Sequence, residues 1–278
     1  MTRTKIILAI TVFSFLIISP QRTQAQEKEV VKIKVPYTSE VPLGSWTKPW
    51  NNACEEASMV MAESYYSGFE SMDKGTAVKY MSPLFTIENK IFGGNADTDS
   101  VRTAKLLNDY LSVNALIKTA PTLEEIKEQL RQSKPVITFH YAKEIKNPNY
   151  HWRVGGSYYH VMLLVGFDDN TGEFFVHDSG DDKTGEYHRY TYDIIMKSLK
   201  DFNFKNHKAD GPARVLFTDS KVLLKEKNSP AVYYIFHDTK YPIANSEVFL
   251  AHGWKWSQIK SAEGKTIQKF KTGALIES

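Results

Sequence analysis

Cysteine is almost absent from this sequence. The 278 residues contain one, Cys54, which can neither close an intramolecular disulfide nor supply several thiolate ligands to zinc. Small disulfide scaffolds and cysteine-rich metal folds are therefore excluded. An excess of charge of one sign is lacking too, because 35 Lys and Arg face 32 Asp and Glu. A nucleic-acid partner, which needs a concentrated basic surface, is not expected.

Long hydrophobic runs are also missing, with one short exception near the N-terminus. Residues 6–19 are mostly apolar and follow Arg3 and Lys5. A membrane span needs about 20 apolar residues, so this run is typical of a secretory signal peptide. We expect residues 1–25 to be cleaved and the protein to be secreted or held at the cell envelope, without a membrane span. Cleavage would remove Arg3, Lys5 and Arg22 and lower the formal charge from +3 to 0. The alternative is an uncleaved anchor.

The remaining composition is that of a globular protein with a hydrophobic core. Hydrophobic residues make up 42% of the chain, with 15 Gly and 11 Pro. The sequence has no Gly-rich phosphate loop with its lysine and no His-Glu-x-x-His run. We therefore predict neither a nucleotide nor a metal cofactor.

The single cysteine opens a predicted helix. Apolar residues recur at helical spacing after Cys54, Gly68 is a typical helix end, and Asn51 or Asn52 is a candidate cap. A helix N-terminus favours the thiolate, whereas the two glutamates that follow Cys54 favour the thiol. Most free cysteines are small buried hydrophobic residues, so a reactive Cys54 requires a cationic partner.

A candidate partner lies more than 100 residues downstream. Residues 158–167 predict a buried strand, 168–172 a turn and 173–178 the returning strand. His160 and Asp178 then lie at matching ends of neighbouring strands, about 4.8 Å apart. A carboxylate there fixes the imidazole tautomer and stabilises the imidazolium. Taken singly, each residue also fits an ordinary structural role at a strand end or a turn.

Several motifs occur in one characteristic order. They are Val-Pro-Tyr-Thr-Ser at 35–39, Cys-Glu-Glu-Ala-Ser at 54–58, Lys-Pro-Val-Ile at 134–137, the strand that begins at His160, and the His-Asp pair at 177–178. Together they resemble the papain-like cysteine peptidases of the bacteriocin-leader (double-glycine) peptidase family, in particular its free-standing secreted branch. The resemblance covers roughly residues 32–218. It implies an α+β papain-like fold and a thiol hydrolase that acts on a peptide, protein or cell-wall peptide.

The resemblance assigns roles residue by residue. Cys54 matches the nucleophile, His160 the general base and Asp178 the residue that orients the base. One position departs from the family, which commonly has Gln where this chain has Glu40. A carboxylate stabilises an oxyanion only when it is protonated. Either Glu40 is neutral, or Asn52 or the backbone donates instead, or activity is impaired.

Two other functions stay open at this point. Glu40 is compatible with a catalytically weak or inert binding protein on the same fold. A peptidoglycan endopeptidase or amidase resembling the NlpC-type hydrolases also uses a cysteine that opens a helix and a histidine on a strand. Activity on cell walls compared with activity on a protein substrate would separate these possibilities.

The rest of the chain is predicted as scaffold and a second unit. Residues 26–219 form the expected peptidase domain, and its polar loop at 142–157 is either a cleft wall or a surface excursion. Residues 221–230 are interpreted as a linker. Residues 220–278 form a small β-rich module with mostly buried aromatics, resembling modules of exported bacterial proteins. Its expected role is either stability or binding to the envelope or a partner.

Overall fold

The computed structural model describes residues 28–150, 156–181, 183–236, 239–252, 254 and 256–277. The expected signal peptide lies outside the described residues, as does part of the loop at 142–157. Within the described ranges, every helix is too short or too polar to cross a bilayer.

The helices and strands alternate irregularly along the chain. The helices are α1 (Cys54–Tyr66), α2 (Lys74–Phe92), α3 (Ser100–Tyr110), α4 (Leu123–Arg131), α5 (Tyr192–Ser198), α6 (Ser246–Ala251) and α7 (Gly264–Ile267). The strands are β1 (Val30–Lys32), β2 (Val113–Thr119), β3 (Val136–Tyr141), β4 (Tyr159–Asp168), β5 (Glu173–His177), β6 (His188–Thr191), β7 (Arg214–Ser220), β8 (Val222–Glu226), β9 (Val232–Phe236), β10 (Thr239–Pro242), β11 (Ile259–Ala262) and β12 (Lys271–Thr272).

The larger sheet is antiparallel throughout. Its order is β2-β7-β3-β4-β5-β6, and β1 pairs with the far end of β4. Helix α1 packs on β4, α3 on β2 and β7, α4 on β4 and β3, and α2 on α1. This mixed arrangement confirms the predicted α+β fold. It leaves α1 and β4, which carry Cys54 and His160, in direct contact.

Burial on both faces explains the apolar sequence of β4. Its residues from Tyr159 to Phe167 are all buried, because α1 and α4 pack on the strand and β3 and β5 pair with its two edges. Gly166 allows the backbone of β1 to approach, since a Cβ there would lie 2.1 Å from the Val31 carbonyl oxygen. That strand pairing closes the sheet at the end of β4 that is distant from His160.

The smaller sheet is built from residues after 220. Its order is β11-β8-β9-β10-β12, with parallel pairs at both edges and antiparallel pairs between them. Two small apolar clusters stabilise it, one centred on Leu223, Phe249 and Trp254 and the other on Leu224, Ile235 and Ile267. The hydroxyl of Tyr234 contacts Asn114 of β2, which joins the two sheets.

Two sequence predictions in this region are wrong. Residues 221–230 are not a linker, because most of them form β8 and a turn, and β8 buries Leu223 and Leu224 in the smaller sheet. The aromatics of the module are not mostly buried: Phe249 and Trp254 are, but Trp256 is 53% exposed, and the others described are half-buried, namely Tyr233, Tyr234, Tyr241 and Phe270. Trp256 stacks on Phe249. The module is β-rich as expected, with a strand at Val232–Phe236 and a short helix capped by Asn245.

Candidate active site

Cys54 is the first residue of α1, as predicted. The cap differs from the expectation, because Ala53 precedes the helix and neither Asn51 nor Asn52 caps it with a side chain. Cys54 is 4% exposed and lines a cavity. Its backbone N–H belongs to the first turn, where the amides have no partner within the helix. The nucleophile candidate therefore lies in a cleft at the N-terminus of a helix.

The thiol of Cys54 donates a hydrogen bond to Glu55. The distance from Sγ to Oε2 is 3.0 Å, and Oε1 of the same carboxyl accepts from the backbone N–H of Thr98 at 2.6 Å. Burial raises the pKa of Cys54 well above its ordinary value, and the negative charges of Glu55 and Glu40 raise this pKa further. The helix N-terminus is therefore outweighed, and the resting group is a protonated thiol.

His160 and Asp178 form the predicted pair. Nε2 of His160 lies 2.8 Å from Oδ1 of Asp178, and both side chains are buried. Burial lowers the pKa of His160, but the charge and hydrogen bond of Asp178 outweigh it, so the net pKa is raised. Since the carboxylate accepts the Nε2 proton, Nδ1 of the neutral ring is the nitrogen left to act as a base.

Asp178 is held in place by two tyrosines that the sequence interpretation did not select. Tyr150 and Tyr190 donate to its Oδ2 at 2.7 and 2.6 Å. Although burial alone would raise the pKa of Asp178, His160 and the two hydroxyls lower it below its ordinary value. Asn147 donates to the Tyr190 hydroxyl at 2.7 Å. Residues 147–150 of the polar loop thus hold the carboxylate in place. Their sequence, Asn-Pro-Asn-Tyr, did not indicate this role.

Glu40 reaches the same site from the segment after β1. Its carboxyl is 6% exposed, and a carboxyl oxygen, the Cys54 sulfur and a ring nitrogen of His160 all lie within 4.8 Å of one another. Burial raises the pKa of Glu40 to about 7; the positive charge of His160 opposes this increase, and Asp178 adds to it. A substantial fraction of Glu40 is therefore neutral near pH 7.

Asn52 lines the same cavity but contacts another acid. Its side chain forms a hydrogen bond with Asp97, which also accepts from the Ser157 hydroxyl at 3.2 Å. Burial raises the pKa of Asp97, and these two hydrogen bonds lower it only in part. Both candidate oxyanion residues therefore lie near Cys54, but the side chain of Asn52 is already hydrogen-bonded to Asp97.

The cavity that contains these groups is large enough for a peptide segment. Its volume is about 970 Å³. Trp46, Tyr150, Tyr158 and Phe202 provide apolar surface along it, and Cys54 is part of its lining. Pockets of this size and mixed lining are typical of sites for peptides and small molecules.

The convergence of Glu40, Cys54 and His160 is also compact enough for one metal ion to contact all three. Metal binding requires the thiolate, the carboxylate and a neutral imidazole together. Burial instead favours the protonated thiol and the neutral carboxyl at this site. The donor set therefore fits proton transfer better than metal binding.

Two comparisons with known proteins found similarities. Residues 32–209, well over half of the chain, match the model of the Peptidase_C39-like family. A crystal structure of a Bacillus anthracis protein assigned as a C39-like peptidase is similar at 15% identity with a TM-score of 0.43, over 69% of this chain and 100% of that chain. No curated protein matches the chain significantly.

Proposed function

The chain belongs to the Peptidase_C39-like family, and from this premise we propose that it is a thiol hydrolase that cleaves a peptide or amide bond. The family and fold are those of cysteine peptidases, and the resemblance predicted from the sequence motifs is confirmed. The observation that carries the proposal is the convergence of the Cys54 sulfur with an imidazole whose Nε2 is bound by a buried carboxylate. In our proposal Cys54 is the nucleophile, His160 the base and Asp178 the orienting acid.

The proposed reaction proceeds by acyl transfer. Nδ1 of His160 takes the thiol proton as Sγ attacks the carbonyl carbon, which converts the carbonyl to a tetrahedral oxyanion. The imidazolium then gives its proton to the departing amine, and an acyl thioester remains on Cys54. Water, deprotonated by His160, attacks the thioester and releases the acid and the thiol. Asp178 stabilises the imidazolium in both halves and keeps Nδ1 facing the sulfur.

The starting state requires an exchange of hydrogen bonds. Cys54 donates to Glu55 in the resting site, so the thiol must turn from that carboxyl toward His160 before proton transfer. The raised pKa of Cys54 opposes a resting thiolate. We propose that the proton moves only as the substrate enters and the thiol turns.

The hydrogen bond from Cys54 to Glu55 and the raised pKa of Cys54 also favour an alternative function, an inert or weakly active binding protein on this fold. A thiol that is buried and bonded to an acid resists ionisation, and a charged Glu40 would repel an oxyanion. A cell-wall endopeptidase or amidase stays a second outcome, decided by the substrate test. Neither alternative changes which residues form the site.

Export and the role of the smaller sheet belong to the same proposal. Residues 1–25 have the sequence of a signal peptide, so we propose that the mature protein acts outside the cytoplasm. We further propose that residues 220–278 bind an envelope component or a partner, for which the exposed Trp256 is a candidate contact. N-terminal sequencing of the protein released by expressing cells would test the cleavage.

The decisive experiment compares the wild type with Cys54→Ala and His160→Ala on two substrates, casein and purified peptidoglycan. We expect the wild type to hydrolyse one of them and both variants to lose activity by at least about a thousandfold. Glu70→Gln, at an exposed position, controls for the handling of variants. Retained activity of Cys54→Ala would refute the nucleophile. Wild-type inactivity on both substrates, with an unreactive thiol toward iodoacetamide, would favour the binding protein.

A further inference from the structure

Hydrogen bonds to the main chain hold Glu40 next to the turn that carries Asp178. Its N–H donates to the carbonyl oxygen of Ser179 at 3.1 Å, and the hydroxyl of Ser39 donates to the same oxygen at 3.1 Å. Ser179 directly follows Asp178, so these bonds connect the Glu40 loop to the turn that carries the orienting acid. The carboxyl of Glu40 is therefore placed relative to His160 and Asp178 by main-chain contacts.

One oxygen of Glu40, Oε2, is inaccessible to solvent and has no hydrogen-bond partner among the described residues. The side chain of Ser179 lies close enough to the carboxyl to lower its pKa. An ionised carboxylate with an unsatisfied oxygen is costly in such a place, whereas the neutral acid carries an O–H donor. That donor can turn to an acceptor that enters the site. A carbonyl carbon attacked by Sγ would bring its oxygen into this neighbourhood, since the carboxyl and the sulfur lie within 4.8 Å.

Resting on the proposed hydrolase function, we propose that Glu40 acts as a catalytic acid in its protonated form, donating a hydrogen bond to the oxyanion that forms when Cys54 attacks. The proton stays on Glu40 throughout: the hydrogen bond forms as the oxyanion develops and is released as the tetrahedral intermediate collapses. No net proton transfer to Glu40 or from it occurs. The donor is lost when Glu40 ionises.

The ionisable groups around Glu40 determine where that loss occurs. Burial is the largest influence and raises the pKa of Glu40. His160 on β4 and the side chain of Ser179 lower this pKa only in part, while Asp178 after β5 and Asp97 before α3 raise it further. Cys54 at the start of α1 is neutral at rest, and the hydroxyl of Tyr37 keeps its proton because burial and the nearby acids raise its pKa.

The sign of the pH effect follows from these groups. Below a pH of about 7 Glu40 is mostly neutral, donates, and does not oppose ionisation of Cys54. Above this pH Glu40 is ionised and no longer donates a hydrogen bond. Its negative charge then lies beside the sulfur and the developing oxyanion. Loss of one oxyanion donor costs about 10²- to 10³-fold in rate. We therefore expect the alkaline limb of the pH–rate profile to follow ionisation of Glu40. The acidic limb follows protonation of His160, since only the neutral ring can take the thiol proton.

The test is kcat/KM measured from pH 5 to 9 on a quenched-fluorescence peptide made from the cleaved casein or peptidoglycan stem sequence. The variants are Glu40→Gln and Glu40→Ala, with Glu70→Gln as an exposed control and thermal melting as a check of folding. We expect the wild type to lose activity as the pH rises through about 7. Glu40→Gln keeps an uncharged donor, so it should stay active to higher pH. Glu40→Ala should fall by about 10²- to 10³-fold at pH 6 and by much less at pH 8.5.

Several results would overturn the inference. They are an identical alkaline limb in the wild type and Glu40→Gln, full activity of Glu40→Ala at pH 6, or a wild type inactive at every pH beside an active Glu40→Gln. Cys54→Ala separates this failure from that of the proposed function. If Cys54→Ala is inactive while the Glu40 variants behave like the wild type, only the role of Glu40 is wrong. If Cys54→Ala stays active, or if all proteins are inactive, the hydrolase assignment fails as well.

Discussion

Gly180 lies against the imidazole ring of His160. A Cβ built at Gly180 would be 2.8 Å from Cε1 and 3.2 Å from Nε2, which is too close for any real side chain. Gly180 follows the Asp178-Ser179 pair, so the same turn supplies the orienting carboxylate and a flat surface for the ring. The imidazole is therefore held between an ion pair at one nitrogen and backbone packing at its face.

Replacing that glycine should disturb catalysis more than folding. In Gly180→Ala the ring must shift by several tenths of an ångström, which lengthens its 2.8 Å contact with Asp178. Because small misplacements of catalytic groups are costly, we expect kcat/KM to fall about 10- to 100-fold. Gly75→Ala, in the first turn of α2 away from the site, should keep wild-type activity. Kinetics together with thermal melting check this, and unchanged kinetics of Gly180→Ala would contradict it.

Asp178 should control the protonation of His160. Asp178→Asn removes the charge that outweighs burial, so the pKa of His160 should fall and the imidazolium should be lost at lower pH. The expected loss in kcat is about two to four orders of magnitude. Asp193→Asn, at an exposed helix position, is the matched control. Chemical shifts of the His160 ring over a pH titration measure the effect, and an unshifted His160 would count against it.

Glu55 should suppress the reactivity of Cys54. After the larger effect of burial, the hydrogen bond of Glu55 raises the pKa of the thiol, and so does its charge when Glu55 is ionised. Burial and Asp97 raise the pKa of Glu55 itself well above its ordinary value, so its charge contributes increasingly as the pH rises. Glutamine at this position keeps an acceptor for the Thr98 amide but cannot ionise. We expect Glu55→Gln to lower the apparent pKa of Cys54, so that alkylation near neutral pH becomes several-fold faster. Iodoacetamide rates from pH 6 to 10 test this against the exposed-site variant Glu128→Gln; slower alkylation would show the opposite role.

A second acidic pair, Glu56 of α1 and Glu88 of α2, should make the free energy of unfolding depend on pH. Glu56 and Glu88 are buried side by side, and burial raises the pKa of Glu88 to about 7 and that of Glu56 well above its ordinary value. Between the unfolded pKa of about 4.3 and the folded value, the native state binds more protons, so stability falls as the pH rises through this window.

Replacing one acid of this pair should remove the decrease in stability at high pH. Glu88→Gln cannot ionise and retains hydrogen-bonding groups, so we expect it to gain on the order of 1 kcal/mol at pH 8 and much less at pH 5. Melting temperatures at both pH values, with exposed Glu124→Gln as control, provide the measurement. An equal shift at both pH values would exclude ionisation as the cause.

Local sequence patterns predicted the framework of the site well. The start of α1 at Cys54, the β4-β5 hairpin and the His160–Asp178 contact are all confirmed, because each depends on nearby residues with clear periodicity or turn chemistry. The helix from Ser100 to Tyr110 was likewise predictable from its apolar spacing, and Asp99 caps it.

Predictions failed where distant packing decided the outcome. The polar stretch at 221–230 forms β8 because Leu223 and Leu224 find a sheet built from residues far along the chain. Tyr150 and Tyr190 were not selected, since nothing in their local sequence indicates that they meet at Asp178. Asn52 turns to Asp97 rather than to the helix it precedes.

The amino-acid sequence by itself determined which chemistry-bearing residues open the helix and border the hairpin, because helix starts, strand periodicity and turns are encoded by neighbours along the chain. The tertiary structure alone decided the proton balance among Cys54, Glu40 and Glu55. The pKa of each group depends on burial and on charges brought together from separate segments, and neither quantity exists before the chain has folded.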